Sequence, residues 1–246
     1  VRLADPCGCF PTGRHYPGIA HLLQVRAVGV ADELDPGARW VELPIAFIDT
    51  ETTGKEPRTD RIIEIAVVLG RHGRVEARRS WLLDPEAPIP KESTAVHGIG
   101  DADVAGKPRF ADVVGEVLAS LVGAVPGAYN AAFDRSFLVA EVERCGHVPA
   151  EPPPALRREV DWMDPLVFAR ELFKGKGESR ALGAVAERLG VSLRSAHRAT
   201  DDAEAALEVL YALGNDDRVP KTYAALVREQ RRLERTQDAA RQFWQK

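Results

Sequence analysis

The chain has 246 residues, 45% of them hydrophobic and 28% charged, with a formal net charge of −4. That length accommodates one well-buried α/β domain with appendages, no apolar run approaches the roughly 20 residues needed to span a bilayer, and three unevenly placed cysteines (Cys7, Cys9 and Cys145) are too few for a disulfide framework. The N-terminus lacks the basic stretch and apolar block of a secretory signal, so the cytoplasm is the expected compartment.

Residues 1–40 hold scattered prolines and glycines without sustained periodicity, apart from a short helical pattern near Gly18 to Val30. They read as an N-terminal appendage. Cys7, Cys9, His15 and His21 lie within it, but a Cys-x-Cys pair followed by widely spaced histidines is not a usual zinc spacing. The pattern changes at Leu43. The run LPIAFID ends in an acid and predicts a strand buried on both faces. DRIIEIAVVLG at 60–70 predicts a second strand, and Val75, Ala77, Trp81 and Leu83 mark a third across a tight RHG connection, which together imply an antiparallel meander.

Helical periodicity follows over Phe110 to Leu121, Ala131 to Cys145, Pro165 to Phe173, Arg180 to Leu189 and Asp201 to Leu213. Three of these stop at a glycine (Gly146, Gly190, Gly214), the expected helix terminator. Ala124 to Tyr129 and Arg158 to Trp162 supply two further strands. The fold class is therefore α/β, with a mixed five-stranded sheet whose first three strands are antiparallel, flanked by helices. The domain spans about 41–215. From Pro220 a C-terminal helical extension (216–246) places Tyr223, Leu226, Val227 and Leu233 on one side, and its arginines read as a solvated face.

Three segments carry chemistry. On a strand, Asp49 and Glu51 point the same way. Two carboxylates converging to about 4 Å repel by about 4 kcal/mol at a protein-like dielectric, and a bound cation removes the conflict. The glycine of ThrThrGly (52–54) lets the chain leave the strand sharply and bring backbone amides near a ligand. In YNAAFDRSFL, Asn130 suits a helix N-cap and Asp134 lies beside the core-facing stripe. In HRATDDAEAALEVL, with Thr200 or Asp201 as cap, Asp202 is fixed on the first helical turn and His197 lies in the preceding loop. Taken singly, each acid has a bland explanation in solvation or in the helix dipole. Their conjunction does not. Clustered acids around cations also reconcile a negative chain with a phosphate-bearing partner.

FIDTETTG, NAAFDRSFL and HRATDDA resemble, in order and spacing, the three motifs of the DEDDh family of 3′ to 5′ exonucleases, the group that includes the proofreading epsilon subunit of bacterial DNA polymerase III and ribonuclease T. The resemblance runs from about Leu43 to Leu213 and takes in DRIIEIAVV and IPKESTAVHGI. It implies a ribonuclease H-like fold, two Mg²⁺ or Mn²⁺ ions ligated by Asp49, Glu51, Asp134 and Asp202, and His197 as general base. It further implies that Thr52, Thr53, Gly54, His97, Asn130 and Phe133 meet the substrate. The expected substrate is single-stranded or frayed DNA 3′ ends, with a DNA polymerase or repair protein as partner and no membrane. Two alternatives use the same residues differently: an RNA 3′-end trimmer, since metal-assisted phosphodiester cleavage does not itself require deoxyribose, and a catalytically silent nucleic-acid-binding or polymerase-tethering module.

Overall fold

The computed structural model describes residues 28–175, 177–193 and 198–244. The cysteine and histidine positions 7, 9, 15 and 21 and most of the helical pattern near 18–30 lie outside that range. Among the described residues, no helix is long and apolar enough to cross a membrane.

Four strands form one sheet: β1 (Ile45–Thr52), β2 (Ile62–Arg71), β3 (Arg74–Leu82) and β4 (Val125–Gly127), in the spatial order β3-β2-β1-β4. β1 to β3 make the expected antiparallel meander, and β4 pairs parallel to β1. The sequence calls for a fifth strand at 158–162, and here the structure corrects it. Among the described residues, that segment and Met163 just after it make only isolated bridges, Gly29 to Val160 and Gly127 to Met163. The chain turns at 158–159, where Val160 N–H bonds the Arg157 carbonyl at 3.3 Å, and pairing with β4 stops at the single residue Met163, so no ladder forms.

The helices in chain order are α1 (Lys91–His97), α2 (Asp101–Val104), α3 (Phe110–Ala119), α4 (Ala131–Arg144), α5 (Pro165–Leu172), α6 (Leu182–Leu189), α7 (Ala199–Leu213) and α8 (Tyr223–Trp244). Strand alternation distributes the central sheet between two cores. Ile45 and Phe47 of β1 pack with Ala66 and Val68 of β2 beneath α5, α6 and α7. Ala46 and Ile48 pack on the other face with Phe110, Val117, Phe137 and Leu138 of α3 and α4. Both faces of β1 are covered, which is why its first half reads as an unbroken apolar run.

Tyr223, Leu226, Val227 and Leu233 of α8 are all buried, as their spacing demands. The α8 start is also tied to the segment before β1. Trp40, fully buried, donates from Nε1 to the Pro220 carbonyl at 2.8 Å, and Tyr223 N–H donates to the Ala38 carbonyl at 3.0 Å. The Tyr223 hydroxyl accepts from Ala31 N–H at 3.1 Å. Residues 30–40 therefore pack into the same core as the C-terminal helix.

Candidate active site

The site forms where β1 runs beyond its parallel neighbour. β4 pairs only with Ile45, Ala46 and Phe47, so the last five residues of β1 have no strand on that side. Alternation sends Asp49 and Glu51 to the α7 side, the side of Ile45 and Phe47, and Thr50 and Thr52 to the α4 side. Asp202 comes down from the first turn of α7. Asp49, Glu51 and Asp202 each place a carboxylate oxygen within 4.8 Å of the others. Asp134, on the first turn of α4, is buried at 3% exposure and accepts from the Thr50 hydroxyl at 2.8 Å. It stands outside the tight group of three, yet among neighbouring charges it acts most strongly on Asp49.

Burial, with neighbouring charge added at Asp49 and Glu51, shifts the carboxyls upward. Asp49 is raised well above the ordinary range, first by burial and then by the charges of Asp134, Asp202, Glu51 and Glu64. Glu51 is pushed up to about 7 by burial and the charges of Asp202 and Glu64, with Arg198 opposing. Asp134 is pushed up to about 7 by burial, against the hydrogen bond from Thr50. Acids so arranged are unstable as neighbouring anions and satisfied by a cation. An all-oxygen carboxylate set fits a hard divalent ion such as Mg²⁺ or Mn²⁺.

Residues to which the sequence assigns no role hold this group in place. Glu64 of β2 lies directly across from Glu51 and is buried at 3% exposure. Its carboxylate accepts from Arg198 Nη2 and Nε at 3.2 and 3.3 Å and from the Ala199 N–H at 3.4 Å. The sequence expects Thr200 or Asp201 to cap α7. Instead the helix starts at Ala199, its N-cap Arg198 makes no side-chain cap, and Glu64 from the sheet takes that place. Asp202 N–H then bonds the Arg198 carbonyl at 3.0 Å, keeping Asp202 on the first turn. The signal was present: an acid in the middle of IIEIAVV has no place in a doubly buried strand without a partner.

α4 is held in a similar way. Glu141 is fully buried and accepts from Arg61 Nε at 2.8 Å, Arg61 Nη2 at 3.2 Å and Ile62 N–H at 3.2 Å, and pairs with Arg144 at 2.9 Å. It lies two helical turns after Asp134, on the same face. Docking Glu141 at the start of β2 thus sets the helix rotation that aims Asp134 at Thr50.

Asn130 departs from expectation. It takes the left-handed conformation (φ 67°, ψ 51°), which asparagine tolerates, and its side chain makes no cap bond. Asp164 substitutes, accepting from the N–H of Asn130 at 3.0 Å and of Ala131 at 3.1 Å. The exposed Asn130 side chain is left to face outward. Phe133 is half-buried against Phe137, with ring centroids 4.9 Å apart.

Thr52 and Thr53 are buried and their hydroxyls are engaged internally. Thr52 donates to the Gly54 carbonyl at 2.6 Å, and Thr53 Oγ1 accepts from Arg61 N–H at 2.9 Å. At Gly54 a Cβ would overlap the Asp60 carboxylate, which closes this loop through Glu56 N–H at 2.8 Å. Ser93 of α1 donates to the Thr53 carbonyl at 2.7 Å. His97, buried at the end of α1, accepts at Nδ1 from Ile99 N–H at 3.1 Å, which leaves its proton on Nε2. His197 lies outside the described residues.

The family model described as Exonuclease (RNase_T) matches residues 46–210, a span that contains all four acids, Glu64 and Glu141. The chain belongs to the exonuclease family. Its similarity to the DNA polymerase III subunit epsilon of Treponema pallidum is 36% identity over 168 residues, covering 67% of this chain and 74% of that protein. To the PolC-type DNA polymerase III of Clostridium perfringens it is 34% over 162 residues, covering 66% of this exonuclease but only 10% of that much longer protein. Among solved structures it resembles Exonuclease X in complex with 5′ overhanging duplex DNA, with 26% identity and a TM-score of 0.56 over 74% of this chain and 99% of that one. Family and fold are those of a hydrolytic exonuclease, and residues 1–45 and 211–246 lie beyond the match.

Proposed function

We propose that this exonuclease removes nucleoside monophosphates from DNA 3′ ends in the 3′ to 5′ direction, using two Mg²⁺ or Mn²⁺ ions held by Asp49, Glu51, Asp134 and Asp202. The observation that carries the reading is the convergence of acids from three chain segments on a partly buried point, where burial raises Asp49, Glu51 and Asp134 and neighbouring acids raise Asp49 and Glu51 further. Bound at such a point, divalent ions supply a lowered pKa for water and charge neutralisation for the phosphodiester.

The chain's own residues do the rest. Asp49 and Glu51, set two apart on a rigid central strand, give the site a fixed floor. Thr50 orients the Asp134 carboxylate by occupying one of its oxygens. The Arg198 to Glu64 pair limits the negative charge around Glu51 and anchors α7. His197 directly precedes Arg198 and, as a neutral imidazole, takes the proton from the attacking water. Exposed Asn130 and half-buried Phe133 flank the α4 side, where a terminal nucleotide can be hydrogen-bonded and stacked. The DNA preference draws on the epsilon-subunit and PolC-type relatives and on the DNA-bound Exonuclease X neighbour. A DNA polymerase is the partner the same relatives suggest.

The test is incubation of matched 3′-labelled and 5′-labelled DNA and RNA oligonucleotides with Mg²⁺, Mn²⁺ or chelator. Stepwise loss from DNA 3′ ends that chelator stops is the expected result. Faster trimming of RNA would transfer the assignment to an exoribonuclease, and no cleavage of either would leave a binding module.

A further inference from the structure

Asp164 connects the C-terminal helix to the acid cluster. Its carboxylate, 8% exposed, accepts from Asn130 and Ala131 N–H at the start of α4 and from Leu166 N–H (2.9 Å) at the start of α5. One side chain therefore holds two helix N-termini, and Asp134 sits on the first turn of one of them. What fixes Asp164 is the extended backbone leading to it. Met163 uses both of its backbone groups on the β4 side, donating to the Pro126 carbonyl at 2.8 Å and accepting from Ala128 N–H at 3.1 Å. Alternation then turns the Trp162 carbonyl and the Asp164 N–H the opposite way, toward the position a further strand would occupy.

No strand lies there among the described residues. Gln230 of α8, 4% exposed, occupies the position: its Oε1 accepts from Asp164 N–H at 2.9 Å and its Nε2 donates to the Trp162 carbonyl at 2.9 Å. A primary amide offers the same carbonyl and N–H as a peptide group. Gln230 thus pairs with this segment as the backbone of an absent strand would, and Glu234, accepting from the same Nε2 at 3.0 Å, holds the amide in that orientation.

We propose that Gln230 is a positioning residue for the nuclease site, acting through Asp164 on the turn that carries Asp134, and that α8 is thereby part of the active-site scaffold although it lies beyond the family match. This rests on the reading of Asp134 as a metal ligand. Two variants separate positioning from bulk stability. Gln230→Met keeps the length and packing and loses both hydrogen bonds, whereas Leu226→Ala loosens the same helix without touching Asp164.

In metal-free protein, Gln230→Met is expected to speed amide hydrogen exchange at Asn130 and Ala131 while circular dichroism stays native. With Mn²⁺ it should raise the half-saturating concentration about 10-fold, at the low end for groups that act through a ligand's support, and lower kcat with KM for the oligonucleotide unchanged. Leu226→Ala should lower the melting temperature and leave the Mn²⁺ midpoint and Ala131 exchange at wild-type values. Unchanged exchange and midpoint in Gln230→Met, or equal effects from both variants, would overturn the proposal. If Gln230→Met does not fold, Gln230→Leu, which also removes both hydrogen bonds, is judged by the same criteria. If Asp134→Asn removes Mn²⁺ binding while Gln230→Met matches wild type, this inference alone fails. If Asp134→Asn leaves Mn²⁺ binding intact, the two-metal reading fails and this one with it.

Discussion

Asp134 offers the sharpest test of the electrostatic argument, because a carboxylate proposed to hold metal should be a liability to the metal-free fold. The perturbation is Asp134→Asn, which preserves shape and leaves an oxygen to accept from the Thr50 hydroxyl. Raising a carboxyl from 3.8 to about 7 corresponds to a cost of about 4 kcal/mol for carrying the charge in the fold, at 1.36 kcal/mol per pH unit. That is an upper figure, since in the wild type the nearby Asp49 can take up a proton instead. The sign follows from the raised folded-state value. Below about pH 4 the group is protonated in both folded and unfolded chains and costs nothing; the penalty grows as pH climbs through about 7 and is constant above. In chelator at pH 8, a realised half of that figure, about 2 kcal/mol, raises the melting temperature of Asp134→Asn by roughly 4 to 8 °C for a chain of this size. At pH 5 the difference should shrink by more than half. Excess Mn²⁺ should reverse the order, since only the wild type gains from the ion. Thermal melts at pH 5, 6, 7 and 8, with chelator and with Mn²⁺, read all of this. A variant no more stable than wild type at pH 8 in chelator, or an advantage independent of pH, would refute the claim that burying the Asp134 charge stresses the fold.

Glu64→Ala removes the acceptor for Arg198 and for Ala199 N–H; we expect a loss of about 1 to 3 kcal/mol by denaturant melts and a fall in turnover of about 10-fold or more, with Glu64→Gln intermediate. Gly54→Ala forces a Cβ into the Asp60 carboxylate, so it should destabilise by about 1 to 3 kcal/mol, and adding Asp60→Ala should recover most of that loss in a double-mutant cycle, whereas additive effects would show that the overlap is not the cause. His197→Ala should lower turnover by roughly 10² to 10⁴ with the Mn²⁺ midpoint unchanged in calorimetry, and a parallel loss of metal binding would remove it from the role of base. Trp40→Ala should cost about 3 to 5 kcal/mol by denaturant unfolding, since that side chain is fully buried and bonded to the Pro220 carbonyl; a loss under 1 kcal/mol would mean that residues 30–40 contribute little to the core.

Much of the architecture was legible because it follows from local periodicity. The unbroken apolar runs of β1 and β2, the helix stops at Gly146 and Gly190, and the one-sided apolar stripe of α8 each follow from chain geometry acting over a few residues. The short α1 and α2 carry too few turns to show a period, and they were not read. The fifth strand was misjudged because apolar content at 158–162 does not reveal that the chain turns at 158–159 and meets β4 only through Met163.

The candidate site divides along the same line. Sequence alone picked out Asp49, Glu51, Asp134 and Asp202 as acids placed on element ends beside apolar stripes, because strand and helix periods dictate which way those side chains face. Partners distant in sequence escaped it. That Glu64 caps α7, that Asp164 rather than Asn130 caps α4, and that Glu141 meets Arg61 were decided only by the tertiary structure. A buried polar group must find its partner wherever packing delivers one, and sequence spacing does not record which elements packing brings together.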